Sequence, residues 1–259
     1  MAIRLLLVAA AVQGRDRRLD RLRSRSGAFL MVPMDHGVSV GPLPGLKDPG
    51  AAATRLAKAG ATCFTAHKGL VPGLAAGLRG SAAGLLLHLS ASSDAAPDPH
   101  DKRLVATVEE ALRLGCDGVS IHINIGSATE AQQLEDAGRV ATACADWGVP
   151  LVTMAYPRGP KVKDPRDPSL VAHAARLAAE LGADAVKVPI PSADGLRDVV
   201  QGCPVPVLVA GGPQRDLDGL LADLASARKA GAAGVSVGRN IFQAQDPAAA
   251  MAAVAKVFA

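Results

Sequence analysis

The sequence predicts an α/β chain folded as a single (β/α)8 barrel, the TIM-barrel architecture. Short apolar runs recur eight times along the 259 residues, stretches of helical character lie between most of them, and no clear linker interrupts the series. Alternating strands and helices imply a parallel sheet, and eight such units imply one that closes; a barrel of this kind typically needs about 250 residues. Composition points the same way. Hydrophobic residues make up 49% and aromatic residues 2%, so the core must be built from Ala, Val, Leu and Ile, as in strands buried on both faces.

The runs read FLMVPMD (29–35), CFTAHK (63–68), GLLLHLS (84–90), GVSIHINI (118–125), PLVTMAYP (150–157), AVKVPI (185–190), PVLVAGG (206–212) and GVSVGRN (234–240). Each has the length of a buried strand, and most are rich in Val, Ile or Leu. Helical patterns occupy 49–61, 104–116, 128–148, 167–183 and 221–234, and each carries a Gly near its end, the expected site of a left-handed C-cap. The connection 69–83 is Gly-rich and carries no legible helix.

Residues 1–25 precede the barrel, assigned to 26–259. They hold an apolar run at 5–12 and then, over 15–25, six Arg against two Asp. The apolar run is too short to span a bilayer. A weak signal peptide is one reading of it, and a helix or strand covering the bottom of the barrel is the other. The Arg-rich stretch that follows favours the second, because it would be a poor start for a secreted chain. The net charge of +4 owes much to this stretch, which reads as a solvated helix face. With no recognised binding motif and few aromatic residues to stack bases, neither nucleic acid nor membrane is expected as a partner. Cys63, Cys116, Cys144 and Cys203 form no CxxC pair, which predicts reduced, mostly buried thiols in a cytoplasmic protein and no metal site.

In this architecture chemistry collects at the C-terminal ends of the strands. Polar residues gather there: Asp35 and His36 at the first, His67 and Lys68 at the second, His88 and Ser90 at the third, His122 and Asn124 at the fourth, Tyr156 and Arg158 at the fifth. Four of the six histidines fall in this layer. Lys187 lies within the sixth strand, where alternation turns Val186 and Val188 toward the helices and the lysine into the barrel. A buried lysine is costly unless paired or used, and loss of water favours the neutral, nucleophilic amine that imine formation requires. The alternative is a structural ion pair with Asp35. Tyr156, the one tyrosine, could move protons or be a core aromatic; Asp35 could stabilise an iminium or be a salt-bridged carboxylate. Ala210-Gly211-Gly212 after the seventh strand and Gly238-Arg239-Asn240 after the eighth occupy the loops that commonly hold phosphate in barrels. His36, Lys68, His122 and Arg158 are the remaining candidates for binding substrate. Trp147, His100 and His173 read as packing or surface residues, and 157–167 as a solvated loop with some character of a lid.

At these residues the chain resembles the class I, Schiff-base aldolases of the FbaB/DeoC type, most closely the 2-amino-3,7-dideoxy-D-threo-hept-6-ulosonate synthase group. The resembling stretches include VPMDHGVSVGP (32–42), HKG (67–69), HLSAS (88–92), PDPHDKRLVATVEEALRLG (97–115), VSIHINIGS (119–127), YPRG (156–159), VAGGP (209–213) and GVSVGRNIFQ (234–243). The resemblance implies that Lys187 forms the Schiff base, that Tyr156 transfers protons, that Asp35 assists at the carbinolamine and imine steps, and that Gly211, Gly212, Gly238 and Arg239 bind the donor's phosphate. It implies a phosphorylated ketone donor such as dihydroxyacetone phosphate, an aldehyde acceptor such as L-aspartate 4-semialdehyde, no metal, no cofactor, and a homo-oligomer, commonly a decamer. A fructose-bisphosphate aldolase and a non-catalytic barrel that binds phosphorylated metabolites are the alternatives. The chain departs from the group after the lysine. A polar Lys-Thr-x-Tyr segment is replaced by Lys187-Val188-Pro189-Ile190-Pro191.

Overall fold

The computed structural model describes the backbone of residues 2–191 and 193–259 and the side chains of 12–191 and 195–259. Eight strands form the barrel: β1 (Phe29–Pro33), β2 (Cys63–Ala66), β3 (Gly84–His88), β4 (Gly118–Ile125), β5 (Leu151–Pro157), β6 (Ala185–Val188), β7 (Val207–Ala210) and β8 (Gly234–Ser236). They pair in sequence order, all parallel, and β8 closes on β1 through Phe29 opposite Gly234 and Met31 opposite Ser236. The helices are α1 (Ala2–Arg21), α2 (His36–Val40), α3 (Pro49–Lys58), α4 (Val71–Gly77), α5 (Val108–Arg113), α6 (Glu130–Trp147), α7 (Pro168–Glu180), α8 (Ala193–Gly202), α9 (Leu217–Lys229), α10 (Arg239–Phe242) and α11 (Pro247–Val257).

All eight sequence runs contain a strand, and all but β4 and β5 stop short of the ends of their runs. Asp35 and His36 therefore begin α2 rather than close β1, and His67 and Lys68 follow β2. The expected caps are present: Gly60, Gly115, Gly148, Gly182 and Gly231 all have positive φ. The connection 69–83 does hold a helix, α4. Gly77 answers to packing, since a Cβ there would lie 2.3 Å from the Gly50 carbonyl oxygen of α3. Four further helices escape sequence reading: α2, α8 and α10 are short, and α11 is so rich in Ala that it shows no polar face. A small hairpin, Ser90–Ala91 against Arg103–Leu104, rises between β3 and β4. Trp147 is 53% exposed rather than packed, with its indole N–H donating to Glu109.

Alternation along the strands divides two cores. Outward residues such as Val32, Phe64, Leu87, Ile121, Val186 and Val209 pack against the helices, while Phe29, Met31, Cys63, Leu86, Val152, Ala185 and Leu208 fill the lower barrel. Leu22 joins this inner layer and is fully buried. It enters from below because Gly84 and Gly118 leave it room: a Cβ at Gly84 would sit 2.7 Å from Leu22 Cδ2.

The basic stretch is only partly a solvated face. Arg21 pairs with Asp117 at 3.0 Å and Arg15 with Asp184 at 3.4 Å. The two aspartates also accept from the Leu85 and Leu151 backbone N–H groups, so they tie α1 to the lower ends of β3 and β5. The apolar run 5–12 lies in helix; the side chains of 5–11 are outside the described residues.

Cys63, Cys116, Cys144 and Cys203 are buried and free, and burial pushes the first three thiols up to about 12. No helix among the described residues is long and apolar enough to cross a membrane.

Candidate active site

Above the apolar floor the inward positions turn polar: His88 on β3, Ser120 and His122 on β4, Tyr156 on β5, Lys187 on β6 and Ser236 on β8. All of these but Ser120 line a cavity of about 810 Å³ at the C-terminal end of the barrel. This volume suits a substrate of metabolite size. Of the sequence candidates, Lys187, Tyr156, Asp35, His36, His122, Arg158, Gly211, Gly212, Gly238 and Arg239 all line it.

Lys187 is 8% exposed, and its Nζ lies 4.0 Å from Met154 Sδ, its register partner's sulfur on β5. Among the described residues it forms no ion pair, so the reading of Lys187 as one half of a structural pair with Asp35 loses its ground. The wall beside it is apolar: Val188 is buried, while Pro189 and Ile190 face the cavity.

Asp35 sits among histidines. His36 Nδ1 and His88 Nε2 each lie 3.7 Å from one of its carboxylate oxygens. Burial alone would raise its pKa, but His88, His36, Lys187 and His67 together outweigh that effect and hold it below the ordinary carboxylate value. Burial pushes His88 down to about 4 and His122 well below its ordinary value, so both rings are neutral at pH 7. His88 shares a 2.8 Å hydrogen bond between Nδ1 and Ser120 Oγ and meets the His67 ring edge-on at 5.2 Å. Tyr156 has the His122 ring 5.0 Å from its own and the Arg158 guanidinium 4.6 Å from its centroid. The arrangement offers a nucleophile, a charged carboxylate and a phenol around one space.

The glycines after β7 and β8 are fixed by geometry. Gly212 has φ +69°, a Cβ on Gly211 would strike Val237, and one on Gly238 would lie 2.7 Å from His36 Cε1. Asn240 anchors this side: its amide donates to Gly211 O and Pro213 O and accepts from the Arg215 N–H. Ser236 Oγ is buried there without a hydrogen-bond partner.

Lys68 is a correction. Its side chain is 49% exposed and bonds Glu110 and the Val105 carbonyl, outside the cavity, because the chain beyond β2 turns toward α5. His100 is also a correction, since it lines the cavity rather than the free surface. Sequence reading passed over Lys102, Arg166, Arg215 and Ser236, which line the cavity as well. The first three come from loops, where no period marks the inward side. In the 157–167 loop, Arg166 Nε donates to Ile190 O at 2.8 Å, which holds that loop over the mouth. Among the described residues no group of three or more His, Cys, Asp or Glu side chains is arranged to hold a metal ion.

Residues 29–244 match the family described as DeoC/LacD family aldolase. A 2-amino-4,5-dihydroxy-6-oxo-7-(phosphonooxy)heptanoate synthase of Streptomyces griseus is 44% identical over 238 residues, covering 91% of this chain and 86% of that protein. A 2-amino-3,7-dideoxy-D-threo-hept-6-ulosonate synthase of Archaeoglobus fulgidus is 42% identical over 234 residues, with 90% and 86% covered. Among solved structures, a Schiff base forming fructose-1,6-bisphosphate aldolase superposes with a TM-score of 0.86 at 30% identity, covering 95% of this chain and 100% of that one. An archaeal fructose-1,6-bisphosphate aldolase, solved with its catalytic lysine covalently bound to the carbinolamine intermediate, gives 0.85 at 30% identity, with 94% and 98% covered. This chain belongs to the DeoC/LacD family of aldolases.

Proposed function

We propose that this aldolase joins a phosphorylated ketone, such as dihydroxyacetone phosphate, to L-aspartate 4-semialdehyde through a Schiff base on Lys187. The observation that carries the reading is Lys187 itself, a lysine 8% exposed, outside any ion pair among the described residues, facing a cavity it shares with Asp35 and Tyr156. The names of the Streptomyces and Archaeoglobus relatives support the acceptor.

In the mechanism, Lys187 Nζ attacks the ketone carbon, and the carbonyl oxygen leaves as water. The resulting iminium draws electrons from the neighbouring carbon, whose proton passes to Tyr156. Asp35, whose pKa lies below the ordinary carboxylate value, is charged and stabilises the iminium. The enamine carbon attacks the aldehyde carbon and forms the new C–C bond, and the aldehyde oxygen takes up a proton. Water then adds to the iminium, releasing product and the free amine. Gly211, Gly212, Gly238 and Arg239 bind the donor's phosphate, with the Ser236 hydroxyl beside them.

The superposition on fructose-1,6-bisphosphate aldolases supports a second reading, cleavage of that sugar phosphate. One assay separates the two. Condensation onto aspartate semialdehyde, with slower or no cleavage of fructose 1,6-bisphosphate, is the expected result; the reverse preference overturns the acceptor assignment. A barrel that only binds would show neither reaction. The reading includes a cytoplasmic homo-oligomer, with which four free thiols and the exposed Trp147 are in keeping. Light scattering checks the assembly.

A further inference from the structure

The loops after β7 and β8 account for one side of the cavity. The other side carries a positive cluster that the mechanism has not used. Lys102, 9% exposed, stands at the base of the hairpin strand Arg103–Leu104, where its Nζ donates to Ser92 Oγ. Ser92 in turn donates to the Pro99 carbonyl at 2.7 Å, which fixes its hydroxyl in place. Arg158 extends from the end of β5 over the Tyr156 ring. Neither cation is in an ion pair among the described residues.

The two lie near each other. After burial, Arg158 is the strongest influence lowering the Lys102 pKa, and both act on His122 more strongly than Lys187 does. His122 Nε2 is buried there with no hydrogen-bond partner. A buried ammonium beside a guanidinium, without a counter-charge in contact, is costly. An anion delivered by the substrate removes that cost, and Arg and Lys both bind carboxylates through short charge-assisted hydrogen bonds. Asp94 lines the same mouth and acts on Lys102. Its negative charge repels a phosphate dianion and attracts an ammonium group.

We propose that Lys102 and Arg158 are the acceptor subsite, which grips the α-carboxylate of an amino-acid aldehyde while Asp94 faces its ammonium group. The proposal rests on the aldolase reading and adds the specificity-determining residue Lys102 to it. The subsite sits beside Tyr156 and across the cavity from the phosphate loops, so the aldehyde end of a short amino acid projects toward the carbon activated on Lys187.

The test uses dihydroxyacetone phosphate as donor and four acceptors on the unaltered enzyme: L-aspartate 4-semialdehyde, succinate semialdehyde without the amino group, butanal without either charge, and D-glyceraldehyde 3-phosphate. Loss of the carboxylate is expected to lower kcat/KM about tenfold or more, loss of the amino group is expected to lower it less, and the phosphate is expected to be the poorer anion. Lys102→Met should raise KM for aspartate semialdehyde about tenfold or more and leave butanal unaffected, and Lys102→Arg should recover most of the loss. Borohydride trapping of the donor on Lys187 should be the same in all three proteins. Equal use of butanal and aspartate semialdehyde by the unaltered enzyme, or an unchanged acceptor KM in folded Lys102→Met, overturns the subsite. A preference for glyceraldehyde 3-phosphate that depends on Lys102 overturns the carboxylate assignment. Absence of donor trapping in the unaltered enzyme is a different failure, that of the aldolase reading itself.

Discussion

At the scale of single residues, the site works by keeping its histidines neutral and its carboxylate charged. His88, at about 4, has lost the protonation it would have at its ordinary value of 6.5. An unfolded chain takes up a proton there near pH 6.5 and the folded one does not. That contribution to stability is therefore complete above pH 6.5 and is lost as the pH falls toward 4. Burial lowers His36, His67 and His122 as well and adds to the same slope. Asp35, lowered below 3.8, contributes stability that is present above that pH and lost below it. Thermal melts should accordingly fall in Tm between pH 6.5 and 4, and His88→Gln should flatten the fall; a Tm that is level over that range contradicts this assignment. Tyr156→Phe removes only the phenol, so it should lower kcat by roughly 100- to 10,000-fold while leaving donor trapping by borohydride intact. Equal turnover by the variant would remove Tyr156 from proton transfer.

At the scale of elements, the barrel is closed from below by one residue and two carboxylates. Leu22 fills the space that Gly84 and Gly118 leave open, and Thr62 donates to its carbonyl at 2.8 Å while accepting from the Leu30 N–H. Leu22→Ala should cost about 2–5 kcal/mol by denaturant titration without changing the acceptor KM. Asp117→Ala should cost about 1–3 kcal/mol, since it leaves the Leu85 N–H without its acceptor and Arg21 without its partner. Little of this floor was legible in the sequence. Arg15 and Arg21 looked like solvent-facing charges because Asp117 and Asp184 are about a hundred residues or more away along the chain. The strands were legible, because eight runs of Val, Leu and Ile can only be buried on both faces. Helix α4 was not, because Gly50 and Gly77 serve a contact between two backbones and not the conformation of either helix.

At the scale of the whole molecule, eight strand ends converge on one cavity and bring together residues spread from Asp35 to Arg239. The part of the site built on strands was readable from alternation: Tyr156, His122 and Lys187 point inward because their positions in the pleat require it. The part built on loops was not. Lys102 reaches the cavity through a hairpin of two residues a side, and Lys68, next to an inward histidine, turns away to Glu110. The division of the mouth into a glycine-lined side and a Lys102–Arg158 side belongs to the closed barrel alone. The Schiff base is tested by incubating the protein with dihydroxyacetone phosphate and sodium borohydride and mapping the product by mass spectrometry. The expected result is one stable adduct, on Lys187, and none in Lys187→Met. A well-folded protein that gives no adduct, or gives it on another lysine, contradicts it.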